Sequence, residues 1–220
     1  MRLIQLNLLK ARPGYFLFNR LALSLALLLM CEKTTAADFA SLAETAKNKA
    51  EVLEEKAASQ TISKTPPAQL ITKPQAQAVD PAGDEPLEDG ITCLARTIYW
   101  EARGTETAAM EVIANVVMNR VGHEGFPNTI CDVVKQGHEQ GACQFSWWCD
   151  GRPDDAKEDD SYAIAKEIAR KALNRQFQDR THGALYFHDQ TVTPDWSKKY
   201  LKTAEVDQFI FYKPADGNAK

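Results

Sequence analysis

The sequence predicts an α+β domain in its second half, predominantly helical with a small antiparallel β-sheet. Three observations carry that prediction. Between residues 91 and 173 apolar side chains recur at three- and four-residue intervals, the period of helices packed by one face. Beyond residue 183, "GALYFH" and "QFIFYK" have the aromatic and β-branched content of strands and are separated by a "TPDW" turn region. A hydrophobic content of 44% in 220 residues is enough for one packed core with accessory segments.

The N-terminal segment, 1–37, holds five Lys/Arg against one acid in a chain whose net charge is -4. Arg2, Lys10, Arg12 and Arg20 precede the apolar run Leu21 to Met30, which has the length of a signal-peptide hydrophobic region and is short of a membrane span. Small residues at Thr34 to Ala37 suit cleavage, and Met30 before Cys31 argues against a lipoprotein site. The expectation is a signal peptide or a retained N-terminal anchor. Either one exports the rest of the chain to the periplasm or cell envelope, and the anchor would tether it to a membrane.

Phe39, Ala43, Ala46, Ala50, Leu53 and Ala57 then alternate by four and three. Because most are alanine, residues 38–60 read as a solvated helical stalk. Residues 61–90 hold five of the ten prolines, no aromatic residue and the acidic ending "GDEPLEDG". They read as a disordered linker, with the folded domain over 91–213 and a tail at 214–220.

In that domain Ile91, Leu94, Ala95, Ile98 and Ala102 form the apolar face of a first helix, and Glu101 sits at the edge of that face. "EVIANVVMNR" continues with Val112, Ile113, Val116 and Val117 facing the core, entered through Thr105 or Thr107 as a cap with Glu106 near the positive end. Pro127 and Asn128 open a short helix through Val134. Asp159 or Asp160 opens a long one with Ile164, Ile168, Ala172 and Leu173 inward.

Four cysteines remain once Cys31 is removed with the signal, and an even number persists as disulfides outside the cytosol. Three connectivities exist. The short spacing of Cys143 and Cys149 suits a closed loop around "QFSWW", which leaves Cys93 with Cys131. No CxxC or HxxxH occurs, so neither a metal nor a cofactor is expected. Nucleic acid is excluded as a partner by 16 basic against 19 acidic residues over 91–220 and by the lack of a glycine-rich phosphate loop.

A carboxylate bordering a hydrophobic wall is partly desolvated, which raises its pKa and lets it act as a general acid. Position alone serves a helix-terminal pair with Arg103 equally well. The loop "QGHEQGACQFSWWCDGR" adds weight to the first reading: Trp147 and Trp148 offer flat apolar faces, and Gln144 and Ser146 offer hydrogen bonds, as a saccharide cleft would. Ser146 lacks the GxSxG elbow of a serine hydrolase.

"LARTIYWEARG", "VIANVVMNRV", "CDVV", "CQFSWWCDGRP" and "ALYFHDQTVTPDW", in that order, resemble the SleB/CwlJ type of cell wall hydrolase over about residues 91–213. The resemblance implies a lysozyme-like domain, related to lytic transglycosylases, whose partner is the glycan strand of peptidoglycan. It implies cleavage of the β-1,4 bond between N-acetylmuramic acid and N-acetylglucosamine. The family's catalytic glutamate falls on Glu101, and Tyr99, Gln144, Ser146, Trp147 and His188 become substrate-binding candidates. Three positions depart from the pattern: Thr105 replaces a glutamate, Ala109 a glycine and Phe209 a histidine. The first two should loosen the helix junction.

A hydrolase needs a second carboxylate, for which Glu139, Asp150 and Asp189 are candidates in polar loops. A transglycosylase needs only Glu101 and is the preferred expectation. The alternatives are a hydrolytic muramidase or glucosaminidase, a non-catalytic peptidoglycan-binding module, and an interaction protein acting through its stalk.

Overall fold

The protein is described by a computed structural model over residues 36–61 and 64–215, without the side chain of Gln140. Two units separate, 1–37 and 38–220. The expected signal or anchor, 1–37, lies outside the described residues but for Ala36 and Ala37.

The described residues form α1 (Ala36–Ala58, within the second unit from Asp38), α2 (Lys73–Ala78), α3 (Gly90–Ala102), α4 (Thr107–Arg120), α5 (Ile130–Lys135), α6 (Asp159–Leu173), β1 (Tyr186–Asp189), β2 (Leu201–Val206) and β3 (Phe209–Lys213). The α+β expectation holds. Helix α3 is central and packs against α4, α5 and α6, while α2 lies on α6. The antiparallel sheet runs β1-β3-β2, with Tyr186 opposite Tyr212 and Asp189 opposite Phe209. The sequence reading missed β2, because "LKTAEV" alternates lysine and glutamate with small residues on an edge strand whose side chains are mostly exposed or half-buried.

Helix α3 starts cleanly because Asp89 accepts from the amides of Ile91 and Thr92. One apolar face was expected. Instead Thr92, Arg96 and Thr97 on the opposite side are buried too, and residues 61–90 cover Arg96 with the Asp80 carboxylate and the Glu85 carbonyl. The linker is therefore corrected to a docked strap. Of its few large apolar residues, Ile71, Val79 and Leu87 are buried, and its backbone is held by polar side chains of α6 and of Asn174 at its C-cap. Lys166 Nζ donates to the carbonyls of Gln77, Val79 and Asp80 at 3.1, 3.2 and 3.4 Å. Asn174 grips both the amide and the carbonyl of Ile71 at 3.0 and 2.8 Å.

At the centre of the strap, Asp80 is 0% exposed and pairs with Arg96 at 2.7 Å, while the Tyr162 hydroxyl donates to the same carboxylate oxygen. Composition misled here because this docking surface is made more of hydrogen bonds and ion pairs than of large apolar side chains. Gly83 completes the contact: a Cβ there would meet the Ala156 carbonyl oxygen at 2.3 Å, and its φ of +72° is in the glycine-favouring region.

The stalk is corrected likewise. Ala46, Ala50 and Leu53 of α1 are buried, small enough for close approach, while Phe39 stays half exposed. On α6, Ile164 is 47% exposed rather than inward, and Tyr162, Ala165, Ile168, Ala169, Ala172 and Leu173 form the buried face. The junction after α3 is not loosened. Thr105 Oγ1 donates to the Ala102 carbonyl at 2.7 Å, Gly104 turns at φ +81°, and Ala109 is fully buried. The expected disulfides, Cys93–Cys131 and Cys143–Cys149, are both formed.

Asp80→Ala should lower stability by about 3–5 kcal/mol, the cost of leaving Arg96 buried without its partner. A chain starting at Gly90 should melt well below one starting at Asp38. Thermal unfolding of the two chains decides it, and equal melting temperatures would return residues 38–89 to the role of spacer.

Candidate active site

The C-terminal ends of α3 and α4, the loop closed by Cys143–Cys149 and strand β1 meet around a cleft of about 630 Å³. Glu101, Arg120, Gln144, Ser146, His188 and Asp189 supply its polar lining, and Tyr186, Trp196 and Tyr200 its aromatic wall.

Glu101 is the penultimate residue of α3 and half-buried. Burial pushes its carboxyl up to about 7, opposed in part by the positive charge of Arg120. The negative end of the α3 dipole adds to the upward push. The alternative pairing with Arg103 is not formed: Arg103 points to the surface, bonding Glu158 at 3.0 Å and lying over Trp100. Glu101 is thus poised to hold a proton near neutral pH and to give it up.

The disulfide loop places Gln144 and Ser146 in the cleft, with the Gln144 amide donating to Gln136 O at 3.0 Å. Two expected substrate contacts are not brought there. Tyr99 is 1% exposed and packs edge-on against Trp100 and Tyr162 in the core. Trp147 is 6% exposed, a lid over the core. Trp148 lies beneath Lys135 and beside His138, on a separate groove that also takes Glu139. Both aromatic positions look alike in sequence, and only the fold sends them inward.

His188 is 8% exposed and forms the floor of the aromatic wall. Its Nδ1 donates to the Asp189 carbonyl at 2.9 Å, since a carbonyl only accepts, and its Nε2 lies 3.1 Å from the Tyr212 hydroxyl. The ring stacks on Tyr212 and meets Trp196 edge-on. It supports the wall more than it faces a ligand. Phe209, where a histidine was expected, lines the cleft as an apolar residue packed on Phe187.

Of the three candidate second acids, Asp189 alone reaches this cleft. Hydrogen bonds from the Thr191 side chain and amide hold its carboxyl below the usual range. Asp150 caps its own turn through the Arg152 amide.

Sequence reasoning missed Arg120, Tyr186, Trp196 and Tyr200. Arg120 was legible: Ile113, Val116, Val117 and Arg120 follow one helical stripe, so its cation lands on the core face. Tyr186 and Trp196 lay inside quoted motifs, yet nothing local distinguishes a cleft aromatic from a core one.

Residues 104–212 match the model of a family described as Cell Wall Hydrolase; the matched span begins just after Glu101. A spore cortex-lytic enzyme of Bacillus cereus is 28% identical over 129 residues, 57% of this chain and 45% of that protein. A spore cortex-lytic enzyme of Halalkalibacterium halodurans is 26% identical over 127 residues, 56% of this chain and 34% of that one. The chain thus spans less than half the length of these relatives. Among solved structures, the catalytic domain of the Bacillus cereus SleB protein is 26% identical, with 56% of this chain and 89% of that chain covered and a TM-score of 0.46. The catalytic domain of a germination-specific lytic transglycosylase SleB from Bacillus anthracis is 27% identical, with 56% and 93% covered and the same TM-score of 0.46.

A carboxyl that titrates higher folded than its ordinary 4.5 stabilises the fold below that ordinary value, and the contribution is lost as pH rises through about 7. Glu101→Gln should therefore match the parent's stability at pH 4 and exceed it at pH 8. The gain should be a few kcal/mol at most, each pH unit of displacement being worth about 1.4 kcal/mol. Denaturant unfolding at both pH values checks this; an equal difference at the two would mean that Glu101 titrates normally.

Proposed function

Because this chain belongs to the SleB/CwlJ type cell wall hydrolase family, we propose that it is a peptidoglycan-cleaving enzyme of the cell envelope. It cuts the β-1,4 bond between N-acetylmuramic acid and N-acetylglucosamine, with Glu101 as general acid and base. The observation that carries this reading is the desolvated Glu101 carboxyl in a cleft lined by rings and hydrogen-bonding side chains. A binding module would have no use for a carboxyl held near neutrality.

The preferred route is lytic transglycosylation. Protonated Glu101 gives its proton to the glycosidic oxygen as the bond to the muramic C1 breaks. The resulting carboxylate takes the proton from the C6 hydroxyl of the same sugar, and that oxygen closes on C1 to form a 1,6-anhydro ring. No water enters, and Glu101 ends as it began. Tyr186, Trp196 and Tyr200 offer the sugar rings apolar faces, the role that sequence reasoning assigned to Trp147, while Gln144 and Ser146 offer bonds to hydroxyl and acetamido groups.

One observation favours a second reading: Asp189, held in its charged form, lines the same cleft and could activate a water or attack C1 in a hydrolase. Its Oδ1 is already taken by Thr191 at 2.8 and 2.6 Å, so transglycosylation remains the preferred route.

Digestion of purified sacculi tests both readings. Glu101→Gln should lose about 10²- to 10⁴-fold in cleavage, and unimpaired cleavage would reject the assignment. Asp189→Asn should lose less than about tenfold, against 10²-fold or more if it serves a hydrolase. Products of the parent chain should end in 1,6-anhydro-muramic acid, about 18 mass units lighter than reducing ends. Reducing ends throughout would establish hydrolysis. Trp196→Ala should raise KM by roughly ten- to a hundredfold if its face holds a sugar, a loss of about 1–3 kcal/mol; an unchanged KM would confine Trp196 to packing.

A further inference from the structure

Arg120 ends α4 with its side chain 2% exposed, and Nε donates to the Leu185 carbonyl at 2.8 Å. Its guanidinium lies over the rings of Phe145, Phe126 and Tyr186 at 5.0, 5.2 and 5.8 Å. Nη1 is buried with no hydrogen-bond partner, and no salt bridge to Arg120 forms among the described residues. A cation removed from water without an ion pair costs stability, and the aromatic cage offsets only part of that cost. A role as ordinary structural ballast would be filled better by methionine.

What the cation faces is the cleft. The other titratable groups lining it are Glu101 on α3, Tyr186, His188 and Asp189 on β1, and Tyr200 before β2. The surface-directed Arg103 is engaged with Glu158. We propose that Arg120 is a positioning residue for Glu101: a fixed, unscreened positive charge that stabilises the carboxylate formed each time Glu101 gives up its proton. This rests on Glu101 being the acid.

The chemistry sets two opposed demands on one carboxyl. It must keep its proton at neutral pH, which burial secures, and it must release that proton into the leaving group, which burial alone would make unfavourable. A buried cation that does not form a tight pair serves both: it weakens the proton's hold without abolishing it. Arg120 stays charged in this role, since burial brings its own pKa down only to about 10. With Nε held by the Leu185 carbonyl and the guanidinium over three rings, the charge is fixed in place, so its influence should be read in proton transfer.

The test is the titration of Glu101 in the folded, ligand-free protein. It would be followed by carbon-13 NMR of glutamate carboxyls, with the signal identified by its loss in Glu101→Gln. The expected midpoint is about 7 in the parent, close to that in Arg120→Lys, and higher by on the order of one pH unit in Arg120→Met. In the sacculus assay Arg120→Met should lower kcat by up to about tenfold, the factor one pH unit of acid strength supplies. Its fall in activity at high pH should move upward.

A folded Arg120→Met protein in which Glu101 titrates as in the parent would overturn the proposal, as would a raised KM with an unmoved pH profile. If the methionine variant fails to fold, Arg120→Gln, neutral but polar, takes its place with the same expectations. Cleavage by Glu101→Gln would sink the assignment of the acid, whereas an unmoved titration midpoint would sink the role of Arg120 by itself.

Discussion

Desolvation of helix α3 is the constraint from which both the architecture and the chemistry follow. Nearly every residue from Ile91 to Ala102 is buried, so the helix needs cover on all sides, including the side that carries Arg96. The strap gives that cover with Asp80, and α6 gives it with Tyr162. At the other end the same burial reaches Glu101, where the disulfide loop and the sheet close over all but the cleft. The helix cap at Asp89, the ion pair in its middle and the Glu101 carboxyl near its end lie along one element, and the carboxyl can be no better desolvated than the element is covered.

This explains which parts of the fold were legible. Helices α3, α4 and α6 announced themselves through periodicity, because their largest contacts are apolar side chains meeting apolar side chains. The strap did not, because Lys166, Arg170 and Asn174 hold its backbone carbonyls, and any sequence can offer carbonyls. The edge strand β2 was hidden for a related reason: its pairing is backbone pairing, and its side chains carry no inward pattern.

The candidate site divides in the same way. Glu101 was legible because a charge on an apolar stripe is a local contradiction, and Arg120 poses the same contradiction on the next helix. Gln144 and Ser146 were legible because cysteines pin their loop. Tyr99, Trp147 and Trp196 were not separable in sequence: all are aromatic, and which one faces ligand depends on where β1 and the disulfide loop converge. The aromatic wall moved from Trp147 to Tyr186, Trp196 and Tyr200 for that reason alone.

In the proposed mechanism one half-buried carboxyl, protonated near neutrality, drives the chemistry without a second acid. The pH dependence of kcat/KM for the parent chain on soluble glycan fragments tests it most directly. One titrating group is expected, with kcat/KM level through the acid range and falling above about 7 as Glu101 loses its proton. An ascending limb near pH 4, the ordinary range of a second working carboxylate, or activity sustained beyond about pH 9 would contradict it.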